Sequence, residues 1–396
     1  MQRVAARSRS FQMQPDKVGL LIAALLGYAA LALPFATLRA NRIVQGESLG
    51  LIDAIPGFAA ITLAVTLAVC ALIAFFRTGT RLRLGAALVG LAVLAFTVGL
   101  AGAYLTPEGN SYARVSPASG FWLVMAGLMV MATDAIARLK PQPATRVLLL
   151  VFVLIVAAII LATGQWDDLS IIKEYGSRSD IFWAEALRHL QLAFGSLLAA
   201  VLTGIPLGVL CYKVRKLRAF VLNSLNIVQT IPSIALFGLL IAPLGWIAAN
   251  VPGASELGIR GIGMAPAFVA LFLYSLLPIV SNTVVGLDGV SNSVREAARG
   301  LGMTPAQRLL KIDFPLAFPI ILTGIRIVLV QNIGLATIAA LIGGGGFGVF
   351  VFQGIGQTAM DLVLLGTIPT VVLGFTAAIL LDALIDSLFL KRGRGA

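Results

Sequence analysis

Long apolar runs separated by short polar interruptions make up most of this chain. A helix needs about 20 predominantly apolar residues to cross a hydrocarbon core of roughly 30 Å. Ten such runs are present, with approximate limits at 18–38, 52–76, 84–106, 119–137, 145–163, 190–211, 219–247, 265–286, 316–342 and 362–389. The pattern predicts an all-α polytopic membrane protein with about ten transmembrane helices.

The first run, which begins at Val18, differs from a cleavable signal peptide. It is too long and has the wrong flanks, because no small-residue cleavage site precedes a mature soluble domain. We therefore expect it to be retained as the first span.

Composition and charge placement fit this interpretation. Hydrophobic residues make up 59% of the chain and charged residues 12%, whereas soluble domains carry about 25% charged residues. With ten spans, 21 of the 29 lysines and arginines lie on the side of both termini, seven lie on the other side, and Arg326 lies inside a span. Because cytoplasmic loops are enriched in Lys and Arg, this split predicts that both termini are cytoplasmic. The net charge of +12 is thereby explained by membrane orientation, and we expect no nucleic-acid partner.

The residues that usually bind metals are too few and too scattered for a metal site. Cys70 and Cys211 both lie within apolar runs, and His189 is the single histidine. We expect no disulfide framework, no metal and no cofactor in this chain.

Polarity divides the chain near residues 165–189. We predict a five-span N-terminal membrane extension (1–164), an outside connecting segment (165–189) and a five-span core (190–390) whose spans contain more polar residues and prolines. The connecting segment carries Trp166, Tyr175, Phe182 and Trp183 among acidic residues. These aromatic residues fit a belt at the lipid interface, and docking of an external partner is the alternative.

The connection at 287–315 has helix signals of its own. Ser293 with Glu296 predicts one capping box, and Thr304 with Gln307 predicts a second, with Pro305 at the first helical position. Gly300-Leu301-Gly302 between them suits a sharp reversal because glycine tolerates positive φ. We expect two short helices on the cytoplasmic face that fit a groove of another protein. Four cations are predicted to project from them: Arg295, Arg299, Arg308 and Lys311.

Six positions of this connection match a known motif. They are Glu296, Ala297, Ala298, Gly302, Ile312 and Pro315. The spacing resembles the EAA motif of ATP-binding-cassette importer permeases, E-A-A-x3-G-x9-I-x-L-P, with Phe314 where the family usually has Leu. The resemblance implies that the connection is the coupling loop, which fits a cleft on a cytoplasmic ATPase and transmits its closure to the membrane helices.

Further stretches narrow the resemblance to one subfamily. Residues 231–236 (IPSIAL), 274–280 (YSLLPIV), 324–326 (GIR) and 336–348 (ATIAALIGGGGFG) are similar to the permeases of osmoprotectant importers, which carry glycine betaine, choline, carnitine or proline betaine. The similarity covers about residues 188–390. The first five spans match nothing in the common core of that family, although some members have such an extension.

The resemblance implies a transport subunit of the bacterial inner membrane and a set of partners. These are a cytoplasmic ATP-binding-cassette ATPase that holds ATP and Mg²⁺, an extracytoplasmic solute-binding protein, and a second permease subunit, identical or homologous. The surrounding partner is membrane lipid. The chain has no P-loop of its own, because none of its lysines follows a glycine, so we expect no enzymatic activity in this subunit.

A glycine-rich stretch follows the ninth predicted span. Residues 343–348 satisfy G-x-G-x-x-G, but no strand precedes them and no acidic residue about 20 positions later suits a ribose. We interpret the stretch as a flexible or close-packed turn on the outside.

Polar residues inside the core spans have two competing interpretations. Groups of this kind tend to face a bundle interior or a water-filled path, so they fit hydrogen bonding between helices and a translocation path equally well. For Arg326 we expect an acidic or carbonyl partner, with snorkelling toward an interface as the alternative. The candidate path residues are Asn226, Gln229, Ser233, Ser275, Asn282, Gln331 and Asn332, with Asn226, Gln229 and Ser233 on one helical face.

Two alternatives to an osmoprotectant importer remain. One is a permease of the same architecture for another small solute such as methionine. The other is an ion-coupled secondary transporter, whose usual sign is acidic residues in mid-span. That sign is weak, because the candidate acids lie near the ends of spans: Asp134, Asp361, Asp382 and Asp386.

Overall fold

The computed structural model describes residues 15–41, 44–110 and 112–393. Within these ranges, nine helices are long and apolar enough to cross a membrane, and Lys17–Ala32 is a shorter apolar helix. The prediction of an all-α polytopic membrane protein is confirmed. The basic segment 1–14, which contributes to the predicted cytoplasmic charge, lies outside the described residues.

Two compact units form, one from the residues up to 142 with 151–176, and the other from 143–150 with the residues from 177 onward. Up to residue 176, the helices are α1 (Lys17–Ala32), α2 (Leu51–Ala54), α3 (Gly57–Phe75), α4 (Thr80–Leu105), α5 (Ser119–Leu139), α6 (Pro143–Ala162) and α7 (Ser170–Gly176). The strands are β1 (Ala36–Arg39), β2 (Glu47–Leu49) and β3 (Arg114–Pro117).

The core of the first unit is a bundle of α1, α3, α4 and α5. Small residues let its helices approach closely. A Cβ atom on Gly19 of α1 would lie 1.7 Å from the carbonyl oxygen of Ala74 on α3. Large apolar side chains such as Leu63, Leu94 and Leu128 fill the space between the helices.

A small antiparallel sheet in the order β2-β1-β3 covers one end of this bundle. Ala36 pairs with Leu49 on one side and with Pro117 on the other. The apolar pattern did not predict these strands, and the predicted first span ran on to residue 38, whereas α1 ends at Ala32. A strand of three or four residues is too short to produce a periodic signal.

At the opposite end of the bundle, Asp16 lies in a buried network of charged side chains. Nη1 of Arg83 lies 3.1 Å from Oδ2 of Asp16 and 3.3 Å from Oδ2 of Asp134, and Arg138 pairs with both aspartates at 3.0 and 2.9 Å. Arg83 also donates to backbone carbonyl oxygens, including that of Ala74 at 2.9 Å. Arg83 and Arg138, which count toward the predicted orientation, therefore also join α1, α4 and α5.

The carboxylate of Asp16 caps α1 by accepting from the N–H groups of Val18 and Gly19. Burial raises the pKa of Asp16, but the hydrogen bonds from Gly19 and Arg138 and the charge of Arg83 outweigh burial, so the pKa lies below its usual value. Because the folded pKa is lowered, this contribution to stability is present above the pKa of the unfolded chain and is lost as the pH falls through the folded value.

We predict that Arg83→Ala destabilises the first unit by about 3 kcal/mol or more, because removing one partner of a buried ion pair leaves an uncompensated charge. Alkylation of the buried Cys70 in this unit should accelerate relative to Cys211 in the second unit, as followed by mass spectrometry. The exposed Arg81 of the same helix provides the control variant Arg81→Ala. Equal Cys70 rates in the two variants would contradict a stabilising role for the network.

The second unit contains the remaining helices. They are α8 (Ser179–Lys213), α9 (Arg215–Thr230), α10 (Ser233–Asn250), α11 (Met264–Asp288), α12 (Asn292–Gly300), α13 (Pro305–Arg308), α14 (Phe314–Leu335), α15 (Gly348–Gly356) and α16 (Met360–Gly393). A π-helical turn, Leu309–Asp313, joins α13 to α14, and a 3-10 turn, Ile338–Ile342, follows α14.

Helix α11 lies at the centre of this unit, packed against α8 and α14. Glycines on the neighbouring helices make the contacts close. A Cβ atom on Gly208 of α8 would lie 2.6 Å from the Thr283 side chain, and one on Gly324 of α14 would lie 2.9 Å from the carbonyl oxygen of Pro278.

In the second unit, the helix limits differ clearly from the predicted spans in three places. The predicted span 219–247 is two helices, α9 and α10, because Pro232 cannot donate a helical hydrogen bond and disfavours helical backbone at Ile231. Helix α8 begins at Ser179, before the predicted limit of 190. Helix α14 ends at Leu335, and the rest of the predicted 316–342 span continues as the 3-10 turn.

Candidate functional site

The 287–315 connection contains one separate short helix, α12, while the second predicted helix, α13, continues through the π-helical turn into α14. The capping box at α13 is confirmed: Thr304 Oγ1 accepts from Gln307 N at 3.3 Å, and Gln307 Oε1 accepts from Thr304 N at 2.9 Å. The predicted box of Ser293 with Glu296 is wrong. Helix α12 begins two residues earlier with Ser291 as N-cap, and Ser293 is already helical.

The reversal after α12 depends on Gly302, whose φ is 74°. The N–H of Gly302 donates to the carbonyl of Arg299 at 2.9 Å, and the N–H of Met303 donates to that of Ala298 at 3.1 Å. This pair of hydrogen bonds is a Schellman motif, which requires left-handed backbone at Gly302. Gly300 is the last residue of α12 and provides no positive φ. A residue with a side chain at 302 would therefore strain the turn.

Asp313 lies at the base of this connection and holds it to the membrane helices. Its Oδ1 accepts from Arg295 Nε at 3.0 Å, and its Oδ2 lies 3.5 Å from Arg308 Nε. Arg295 also donates to the carbonyl oxygen of Leu287, and its guanidinium lies 5.6 Å from the centre of the Tyr212 ring. Arg295 and Arg308 therefore do not project into solvent as predicted, because the buried Asp313 attracts both. Arg299 and Lys311 are exposed, as predicted.

Arg295 thus connects one short helix to the ends of three long ones. Tyr212 lies at the end of α8, Leu287 near the end of α11, and Asp313 directly before α14. Beneath Arg295, the fully buried Leu287 and Ala317 pack in one apolar cluster. Asp313 is absent from the predicted site, because local spacing does not indicate a pairing with Arg295, which lies 18 positions earlier.

The outer surface of the connection combines charge with exposed apolar side chains. Leu301 is 83% exposed and Leu310 is 69% exposed, and Glu296 and Ala297 lie on the exposed part of α12. Adjacent exposed apolar residues with polar neighbours mark interaction sites. The remaining motif positions are placed differently: Ala298 is buried, Ile312 is half-buried, and Gly302 and Pro315 are exposed.

Within the membrane helices, Asn332 is the centre of a buried polar cluster. Its Nδ2 donates to Ser196 Oγ of α8 and to Ser275 Oγ of α11, each at 2.9 Å. Both serine hydroxyls also donate to carbonyl oxygens of their own helices, those of Leu192 and Leu271. All three polar side chains are fully buried. This arrangement favours hydrogen bonding between helices for Ser275 and Asn332.

Two of the other candidate path residues donate to backbone carbonyl oxygens of α11. Gln229 donates to the carbonyl of Tyr274 at 2.9 Å, and Asn282 donates to that of Pro278 at 2.8 Å. Asn226 is exposed, while Ser233 and Gln331 are half-buried. The predicted single face is wrong for Ser233, because the break at 231–232 places it on α10 and the other two residues on α9.

The break between α9 and α10 has a partner that sequence reasoning missed. The hydroxyl of Tyr274 on α11 donates to the carbonyl oxygen of Ile231, which has no helical partner at this point. The backbone carbonyl of Tyr274 in turn accepts from the side-chain amide of Gln229. The motif YSLLPIV contains Tyr274, but its spacing alone does not indicate which carbonyl the hydroxyl reaches.

Two predictions about single features are confirmed. Arg326 pairs with Asp382 of α16 at 2.9 Å, as expected for an intramembrane arginine. The glycine-rich stretch is a close-packed turn in which Gly343, Gly345 and Gly346 have positive φ. Side chains of α8 contact this turn.

Comparison with known protein families assigns the chain to a class. Residues 200–389 match the family of binding-protein-dependent transport system inner membrane components, and residues 16–172 match the N-terminal domain of the ABC transporter permease YehY. The chain therefore belongs to the permease subunits of ATP-binding-cassette importers, in the group that carries this N-terminal domain. Such subunits are multi-pass proteins of the inner membrane, lack an ATPase domain, and work with an ATPase and a substrate-binding protein.

The relatives at higher identity are permeases of osmoprotectant importers. The chain is 43% identical over 201 residues to the osmoprotectant import permease protein OsmW of Salmonella typhimurium, covering 51% of this chain and 86% of the relative. It is 36% identical over 185 residues to the choline transport system permease protein OpuBB of Bacillus subtilis, covering 47% and 78%. A solved structure of the inward-facing methionine ABC transporter MetNI is 23% identical over 52% of this chain, with a TM-score of 0.47.

We predict that Asn332→Ala lowers the stability of the protein by about 1 kcal/mol without changing which solute is transported, because both serines keep a hydrogen bond within their own helices. Thermal unfolding in detergent and competition between solutes for uptake measure the two effects. Gln331→Ala, at the half-buried neighbour, serves as the control. An altered solute preference with unchanged stability would place Asn332 on the translocation path instead.

Proposed function

We propose that this chain is the membrane-spanning subunit of an ATP-driven importer for osmoprotectants such as glycine betaine. It forms the translocation path and couples it to a cytoplasmic ATPase. The observation that carries the proposal is the 287–315 loop, which exposes a charged and apolar surface while Asp313 and Arg295 fix its base to three membrane helices.

The geometry suits the transmission of force. Because α12 is short and its base is buried, a partner that moves Glu296 and Leu301 moves the whole segment and does not merely bend a loop. The ATPase supplies ATP hydrolysis, with Mg²⁺ bound there, and this chain contributes no catalytic residue. The cytoplasmic position of the loop, and of both termini, follows from the distribution of Lys and Arg.

A second permease subunit, identical or homologous, completes the path in this proposal. Helix α10 supports it, since Leu236 and Phe237 are its buried residues while Ile234, Leu239 and Trp246 are exposed. An extracytoplasmic binding protein delivers the solute. Aromatic residues of that protein are suited to hold a quaternary ammonium group by cation–π contact.

The substrate class rests on the relatives, whose names specify osmoprotectants and choline. A permease of the same architecture for another small solute, such as methionine, is the nearer alternative. The structure speaks against an ion-coupled secondary transporter, because three candidate acids pair with arginines: Asp134 with Arg83 and Arg138, Asp382 with Arg326, and Asp386 with Arg146. Paired carboxylates are poorly suited to bind and release a coupling ion.

We expect an ATPase with a P-loop to co-purify with the tagged protein from its native membranes in mild detergent. Glu296→Lys and Gly302→Asp should each abolish this association, the first by reversing a charge on the exposed face and the second by straining the positive-φ turn. Mass spectrometry of the purified complex identifies the ATPase and shows whether a second permease is present.

Glu108→Lys is the matched control for charge reversal, since Glu108 is exposed in a connection predicted to face outside. Recovery of the wild-type chain alone and stable would refute the coupling role of the loop. Loss of the ATPase in all three variants would show that the effect is not specific to the loop.

We predict that Arg295→Met retains the ATPase but reduces solute uptake about tenfold or more, because the exposed face is intact while a buried hydrogen-bonded charge pair is broken. Uptake and ATP hydrolysis of the complex in proteoliposomes measure the two activities separately. Lys311→Gln, at an exposed cation of the same loop, should leave both unchanged. Normal uptake by Arg295→Met would contradict transmission through the base.

A further inference from the structure

Two polar side chains of α8 bind the glycine-rich turn from the side. Glu185 Oε2 accepts from the N–H of Gly346 at 2.6 Å, and His189 Nδ1 accepts from the N–H of Phe347 at 3.3 Å. Glu185 is 7% exposed and His189 is fully buried. One turn of α8 therefore supplies acceptors to two consecutive backbone N–H groups.

The turn is shaped around these side chains. A Cβ atom on Gly345 would lie 2.6 Å from Oε2 of Glu185, and one on Gly346 would lie 3.1 Å from Nδ1 of His189. Both glycines also have positive φ. The absence of side chains at 345 and 346 thus serves both the backbone conformation and the close approach of α8.

The turn lies within the depth of the neighbouring membrane helix. A Cβ atom on Gly366 of α16 would lie 2.4 Å from the carbonyl oxygen of Phe347, whereas one on Gly354 would lie 2.9 Å from that of Ala359. Helix α15 therefore runs antiparallel to the first turns of α16, and the glycine turn lies well below the start of α16. Non-helical backbone at membrane depth needs partners from the protein, and Glu185 and His189 provide them.

Aromatic rings close the contact between α8 and α15. The centre of the Phe182 ring lies 5.4 Å from that of Phe347 and 6.0 Å from that of Phe350, and the His189 ring lies 4.9 Å from that of Phe347. Phe350 is almost fully buried. These ring contacts lie toward the end of α8 opposite Tyr212, which contacts the 287–315 loop.

Glu185 also has a second partner nearer to water. Its Oε1 accepts from Nη1 of Arg188 at 3.0 Å, and the Arg188 side chain is about half exposed. When Oε2 leaves the N–H of Gly346, the carboxylate keeps this charged partner. Separation of α8 from the turn therefore does not strand an unpaired charge.

We propose that Glu185 is the positioning residue of an outer gate: its carboxylate, assisted by His189, latches the broken segment 338–356 to α8, and release of this latch opens the core to the outside. The proposal rests on the proposed function, which assigns this end to the outside and requires it to open for solute from a binding protein. Glu185 and His189 act on the backbone of the gate and not on the solute.

The latch can be tested by pulsed electron spin resonance between nitroxide labels on α8 and α15. The label sites are Leu187→Cys and Ile355→Cys, both more than half exposed, in a chain whose native Cys70 and Cys211 are replaced by alanine. Glu185→Ala should shift the population toward longer distances about tenfold, as expected for losing one hydrogen bond to a charged group. Glu185→Gln keeps an acceptor oxygen and should retain most of the short-distance population.

A second label pair, Leu202→Cys on α8 and Phe375→Cys on α16, distinguishes gating from general unfolding. The latch is supported if Glu185→Ala changes the distance distribution of the first label pair only. Glycine betaine uptake should also fall in Glu185→Ala and be largely retained in Glu185→Gln. The latch is refuted if the first pair is unchanged, or if both pairs change together. Absence of uptake of any osmoprotectant by the unmodified chain in its complex would refute the proposed function, while the distance measurement would still decide on the latch.

Discussion

The need to pair every backbone polar group inside a hydrocarbon layer governs the second unit more than any other constraint. Its helices are interrupted near 231 and 343, and each interruption frees backbone polar groups from helical hydrogen bonds. The hydroxyl of Tyr274 binds the carbonyl of Ile231, and Glu185 binds the N–H of Gly346. Each partner comes from a continuous helix, α11 or α8. The irregular segments are therefore held by regular ones, which fixes where they lie without making them helical.

A second regularity is shared by the two units. In each, an aspartate directly before a membrane helix lies between two arginines: Asp16 with Arg83 and Arg138, and Asp313 with Arg295 and Arg308. Asp16 caps the N-terminus of α1, where the backbone dipole is positive, whereas Asp313 lies in the π-helical turn that joins α13 to α14. The arginines come from neighbouring segments, so each aspartate ties together elements distant in sequence. In the second unit this arrangement supports a loop with an exposed partner surface.

The sequence predicts features that lie within one contiguous segment better than contacts between residues that are distant in the chain. Apolar runs located the membrane helices, and fixed spacing located the 287–315 loop, since both signals are local. Pro232 indicates an interruption of helical hydrogen bonding, but the apolar run continues through it, so the predicted span did not divide into two helices. Glu185 and His189 were missed because a hydrophobicity pattern assigns polar residues to the outside. Their side chains instead accept hydrogen bonds from backbone N–H groups about 160 residues later in the chain. Asp313 was missed because its arginine partners looked like solvent-exposed cations.

The cluster around Asn332 restricts how the core can move. The side-chain amide of Asn332 on α14 donates to Ser196 of α8 and to Ser275 of α11, and all three side chains are fully buried. A change in the angles between these helices would leave a buried amide without acceptors, so the cluster opposes such a change. We expect movement instead at the segments joined by interrupted backbone, which are the α9–α10 pair and the α15 segment. A transport cycle would then use few independent movements, with α8, α11 and α14 keeping their mutual arrangement.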